Sequence, residues 1–213
     1  METKMAIIGK LASSLGRRDE VPNQELAHQI IRSRSAKTDV KELVDNLANK
    51  NKNIQSDCIK VLYEIGEQRP ELIADYEKEF LNLLESKHNR LVWGAMTALD
   101  HIAAINPARI HRHLGKIMTA SDRGSVITKD HAIGILIKLA GDKKFARDAL
   151  ALLLDQLRSC ATNQLPMYAE NACAVIPAQS KENFIKVLTA RLGDLEKESQ
   201  RKRVEKVIRK LSK

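Results

Sequence analysis

Between residues 53 and 177, apolar and polar positions alternate in a pattern that repeats every 37 residues. Aligning Gln55–Gly66, Val92–Ala103, Lys129–Ala140 and Pro166–Pro177 puts Cys58, Ala95, Ala132 and Ala169 in one column. Four residues further on stand Leu62, Leu99, Leu136 and Cys173, and three beyond those Ile65, Ile102, Leu139 and Ile176. A small residue followed by large ones at i+4 and i+7 marks one stripe of an α-helix. Recurrence at a fixed interval of this size predicts stacked helical hairpins, each burying its apolar face on the next.

The intervening segments complete the hairpins. First helices are predicted over about 70–86, 107–119, 143–160 and 181–192. Pro70 and Pro107, again 37 apart, stand where a helix start tolerates a missing N–H. Upstream, Ile7, Ile8, Leu11 and Leu15 predict a helix over 3–15 stopped by Gly16. Asn23 is expected to cap a helix running to about Arg34, and Thr38 a shorter one over 39–48. Downstream, Val204, Ile208 and Leu211 continue the stripe at an offset of 35 residues on a charged helix over about 195–213. A terminal repeat has no neighbour over its outer face, so a polar cap is expected there. The fold class is therefore all-α, a right-handed α-α superhelix of about six hairpins. It is expected as a single domain over 1–213, with the clearest repeats in 52–177.

Residues 89–103 (NRLVWGAMTALDHIA) resemble the second helix of a HEAT repeat. The likeness lies in a polar turn, a Val, an Ala and a Leu four apart, and a closing apolar pair. Residues 53–66 and 129–140 are looser copies. The resemblance implies a HEAT-like (armadillo-like) α-solenoid that binds a protein partner along the concave face formed by its second helices. Some HEAT-like proteins bind nucleic acid, and one group are alkylpurine DNA glycosylases, which is the alternative reading. The Asp and Arg that many HEAT repeats place along the hairpin are absent from most copies here.

If 58, 62 and 65 point inward, positions 56, 60, 63 and 67 lie on the opposite side of the helix, at 100° per residue. Stepping by 37 gives rows: Ser56, Trp93, Asp130, Met167; Lys60, Thr97, Gly134, Asn171; and Tyr63, Asp100, Ile137, Ala174. The partner-binding candidates on these rows are Tyr63, Trp93, Asp100, Asp130, Met167 and Asn171. An exposed tryptophan with acidic edges is the composition of an interaction hot spot. The competing placement has Trp93 packed between repeats.

Composition narrows the chemistry. Aromatics are 3% of the chain, too few for a protein that grips bases on aromatic platforms. The formal charge of +9 is concentrated at the end: residues 181–213 carry 11 basic and 5 acidic side chains. Arg201, Lys202, Arg203, Lys206, Arg209 and Lys210 form its densest run, a patch for phosphates or acidic partners, or else a solvated end cap. Three cysteines without CxxC point to a reducing compartment, and the broken apolar pieces of 1–15 to a cytoplasmic chain without membrane span. His111 and His113 fall on different sides of their helix, and His101 and His131 are expected to flank different columns. No HExxH, GxSxG or Gly-rich phosphate loop occurs, so neither metal nor cofactor is expected. The sequence thus points to a non-enzymatic scaffold or adaptor, monomeric or weakly oligomeric.

Overall fold

The computed structural model describes residues 6–212. Among them are twelve α-helices, joined by turns and short 3₁₀ segments, and no strand. In chain order the helices are α1 (Val21–Ile31), α2 (Ala36–Asp45), α3 (Lys52–Gln68), α4 (Glu77–Leu83), α5 (Asn89–Ile102) and α6 (Pro107–Arg112). The second half holds α7 (Leu114–Arg123), α8 (Val126–Ala140), α9 (Ala146–Ser159), α10 (Leu165–Ala172), α11 (Lys181–Arg191) and α12 (Glu198–Leu211). The chain gathers into two compact units, Met1–Ala132 and Ile133–Lys213, divided within α8.

The 37-residue register is obeyed. Cys58, Ala95, Ala132 and Ala169 are fully buried, as are Leu62, Leu99 and Leu136, with Cys173 only 8% exposed. Ile65, Ile102, Leu139 and Ile176 complete the core stripe. In the first unit α3 is the hub, packing on α1, α2 and α5, while α4 covers α5. Small residues at the contact set the α3–α5 approach: a Cβ on Gly94 would lie 2.6 Å from Ile59 Cγ1. In the second unit α10 and α11 both pack on α12, and α9 packs on α10 and α11.

Three predicted elements differ. The helix over 3–15 is a single 3₁₀ turn, Ile7–Lys10, in the part that falls within the described residues. Its following amides are taken by side chains from other elements: Ala12 N–H donates to Asn23 Oδ1 (3.0 Å) and Ser13 N–H to Asp57 Oδ2 (2.8 Å). Asn23 is therefore no helix cap; it is 1% exposed, and its amide donates to Asp57 Oδ1 at 2.7 Å. The chain reverses at Gly16, whose φ of 70° lies in the left-handed region.

The first helices over 70–86 and 107–119 are each broken. The former is two 3₁₀ turns followed by the short α4. Ile73 is fully buried, and the carbonyl of Ala74 accepts from Asn106 Nδ2 (2.9 Å). The latter splits into α6 and α7 at His113. α10 ends at Ala172, five residues before Pro177. Polar links between hairpins do exist. Arg191 on α11 donates to the carbonyls of Leu157, Arg158 and Cys160 at 2.8–2.9 Å, closing the C-terminal end of α9.

Candidate functional site

Around Trp93 the first unit gathers aromatic rings and charges into one cluster rather than presenting separate exposed side chains. Tyr63 on α3 and Trp93 on α5 meet at 5.7 Å between ring centroids, tilted by 47°. Each ring carries a cation from its own helix: Lys60 Nζ lies 4.8 Å from the Tyr63 centroid, and the Arg90 guanidinium 4.7 Å from that of Trp93. Both pairs are spaced i, i+3, which puts the side chains one above the other on a helix face. Attraction to the ring's negative face supplies about 0.5–2 kcal/mol per pair, the upper end where water is excluded.

Lys60 is the buried member, 5% exposed. Two carboxylates compensate it: Glu64 Oε1 at 2.5 Å, one turn along α3, and Glu20 Oε2 at 3.0 Å. Burial works against the ammonium charge, but hydrogen bonds with Glu64, Tyr63 and Glu20 outweigh it and hold the pKa above its ordinary value. The other oxygen of Glu20 pairs with Arg90 Nη2. Burial would raise the Glu20 pKa; hydrogen bonds from Arg90 and Lys60 overcome that and lower it. Burial pushes the Tyr63 phenol upward, so the ring stays protonated.

Beside the cluster opens a cleft of about 490 Å³, lined by Arg17, Arg18, Glu20, Asn53, Ser56 and Arg90 among others. Arg17 is occupied with Asp19 through two 2.9 Å hydrogen bonds.

The sequence-predicted residues are thus distributed unevenly. Trp93 is half-buried and Tyr63 only 9% exposed. Both placements weighed for the tryptophan hold in part: it packs against α3 and keeps an accessible edge. Asp100, expected at the open face, is 8% exposed because its carboxylate Oδ2 pairs with His131 Nδ1 at 2.8 Å. His131 and His101, on neighbouring second helices, meet edge to face at 6.3 Å. Lys60 and Thr97 are likewise buried, since second helices packed side by side close over the flanks of their rows. Asp130 is half-buried. In the second unit, Met167 is half-buried and Asn171 exposed.

The basic run on α12 is less uniform than its sequence. Arg201 is half-buried and donates to the Leu195 carbonyl at 3.1 Å. Arg203 grips Glu170 of α10 through two nitrogens, 2.9 and 2.5 Å, and so holds that carboxyl below its ordinary pKa. Lys202 pairs with Glu198 and Arg209 with Glu205. Lys202, Arg203, Lys206, Arg209 and Lys210 are all exposed, on one arc of about 120° at 100° per residue.

Burial raises the Cys58 thiol to about 12. All three cysteines are free. Among the described residues no cluster of His, Cys, Asp or Glu is placed to hold a metal ion, and no helix is long and apolar enough to cross a membrane.

Sequence reasoning missed Arg90 and Glu20. Arg90 was available from its i, i+3 spacing to Trp93. Glu20 reaches α3 and α5 from a loop 40 and 70 residues away, a contact that no periodicity announces.

No protein-family model matches the chain, and no curated protein matches it. Solved structures do. The chain is similar to a designed armadillo repeat protein in complex with the peptide (KR)4, with TM-score 0.68 and 14% identity over 98% of this chain and 100% of that one. It is also similar to computationally designed armadillo repeat proteins for modular peptide recognition (TM-score 0.65, 13% identity, 95% and 97% covered). An engineered protein matches at TM-score 0.60 and 21% identity, over 98% of this chain and 97% of the other. These likenesses establish an armadillo/HEAT-like helical-repeat fold.

Proposed function

Taking the chain as an armadillo/HEAT-like helical-repeat protein, we propose that it is a non-enzymatic scaffold that binds a peptide segment of a protein partner on the second-helix face of its first unit. The observation that carries this reading is the paired rings of Tyr63 and Trp93 on adjacent second helices, 5.7 Å apart, in a cluster whose Glu20 and Arg90 line a cleft of about 490 Å³. Large rings held rigidly by packing and by stacked cations offer contact area at little entropic cost, which is what an anchor residue at an interface requires. The designed neighbours, described as made for peptide recognition, support the same use of the fold.

The test is a selection of peptides from a random library on the intact chain, followed by titration of Trp93→Ala. Selected peptides should lose affinity by about tenfold or more, a hot-spot loss of at least 1.4 kcal/mol, while the far-UV helical signal stays nearly intact. Peptides that bind the variant unchanged, or a variant that no longer folds, would remove the rings from the interface.

A second reading rests on the second unit, where Lys202, Arg203, Lys206, Arg209 and Lys210 share one exposed arc of α12. Such a stripe suits the evenly spaced charges of a nucleic-acid backbone. Retention on heparin that falls after Lys206→Glu with Lys210→Glu supports it; unchanged elution leaves α12 as a solvated cap.

A further inference from the structure

Glu20 occupies the N-cap position of α1, yet its side chain caps nothing there. The capping contact comes from Asp19, whose Oδ1 accepts from Val21 N–H at 3.1 Å. The Glu20 carboxylate turns away to α3 and α5, one oxygen on Lys60 Nζ and the other on Arg90 Nη2. Its ion-pair partners therefore all belong to the ring cluster, and its side chain remains 44% exposed.

The quartet it covers has a definite chemistry. Lys60 and Arg90 each lie on a ring, and Tyr63 and Trp93 lie on each other. Between the two cations, the site presents donors directed at one bridging acceptor. Glu64 is fixed by its place one turn along α3 and serves only Lys60. Glu20 alone bridges the two, and it does so imperfectly. It engages the guanidinium through one nitrogen, and Arg90 Nε, a buried donor, has no hydrogen-bond partner. Two-point pairing is the stronger arrangement of an arginine with a carboxylate. The adjoining cleft gives a displaced side chain room to move.

We propose that the Lys60–Arg90 pair receives a carboxylate from an acidic segment of the partner peptide, and that Glu20 fills this place as an internal substitute until the peptide displaces it. The inference rests on the peptide-binding reading and adds to it the sign of the partner's charge. That sign is opposite to the (KR)4 peptide in the designed neighbour's complex. Exchange of one carboxylate for another keeps buried Lys60 compensated throughout, so displacement exposes no unpaired charge. The affinity comes from the two-point contact with Arg90 and from the peptide's packing on Trp93.

Trp93 is the only tryptophan in the chain, so intrinsic emission reports on the site alone. The intact protein is titrated with two octapeptides, (EG)4 and (KR)4, as wild type, Glu20→Gln and Arg90→Gln. The wild type should show a saturable change in emission with (EG)4 and none with (KR)4. Glu20→Gln should bind (EG)4 roughly tenfold more tightly, the gain from removing an internal competitor that fills the place about nine-tenths of the time. Arg90→Gln should abolish the response. Thermal melts establish that each variant is folded. Should Glu20→Gln fail to fold, Glu20→Asp withdraws the carboxylate by one methylene with its charge kept, and must also tighten binding. An unchanged Kd in the folded Glu20 variant, or a response to (KR)4 in place of (EG)4, overturns the inference and leaves peptide binding at Trp93 standing. No response to either octapeptide, while library-selected peptides still bind through Trp93, overturns it too; failure of all peptides removes both readings.

Discussion

Two helices, α3 in the first unit and α12 in the second, use their cations in opposite ways. On α3, one lysine is drawn to 5% exposure and met by two carboxylates and a ring. On α12, five cations stand in solvent, three of them in ion pairs at the surface. A buried charge depends on each partner, and breaking such a pair costs several kcal/mol. An exposed pair contributes about 0–1 kcal/mol and is screened by salt. Counting lysines and arginines therefore points to α12, whereas the energetics point to α3, where the charge has been organised.

Substitutions should separate the two faces by size of effect, with the core column as reference. Leu99→Ala removes a fully buried column residue and should cost about 2–5 kcal/mol in urea unfolding. A cost below about 1 kcal/mol would mean that the 37-residue register is not the source of stability. Glu64→Ala takes the nearer carboxylate from Lys60 and should cost about 2 kcal/mol, reduced from the full buried-pair value because Glu20 remains. On α12, Lys206→Glu with Lys210→Glu should change stability by no more than about 0.5 kcal/mol. If that change exceeds the loss in Glu64→Ala, the contrast between the faces is inverted.

Acid titration sharpens the contrast further. Glu20 has a folded pKa depressed below its ordinary 4.5, so its stabilising contribution is fully present above that value and is lost as pH falls through the folded pKa. Glu170 on the second unit behaves the same way through Arg203. Glu20→Gln should therefore lose less stability than the wild type between about pH 5 and pH 3, and an identical pH profile would mean that the bridge contributes nothing. The smallest effect expected is chemical. With its thiol raised to about 12 and fully buried, Cys58 should resist alkylation at pH 8 in the native protein, while half-buried Cys160 reacts slowly. Rapid labelling of Cys58 would place α3 outside the core.

The apolar columns were legible from the sequence because burial at Cys58, Leu62 and Ile65 repeats with the helix and again with the hairpin. Tyr63 and Trp93 were found by the same arithmetic, applied to the opposite side of the helix. It failed where contacts are aperiodic. The segment around Ile7–Lys10 carries a helical stripe, yet Asn23 and Asp57 claim the amides of Ala12 and Ser13, and a 3₁₀ turn results. Helix periodicity, which takes each helix alone, places Asp100 toward solvent, whereas His131 on the next second helix closes over it. Glu20 belongs to no repeat, and only the folded chain brings it to α3.

The most direct test of the account is the indole N–H signal of Trp93 in a proton–nitrogen correlation spectrum, a single cross-peak because the chain has one tryptophan. Titrating a bound peptide should move that peak, together with the amides of α3 and α5 near Tyr63 and Arg90, before any amide of α12 responds. A peptide that binds while the Trp93 indole stays still and the α12 amides shift would contradict the assignment of the interface to the first unit.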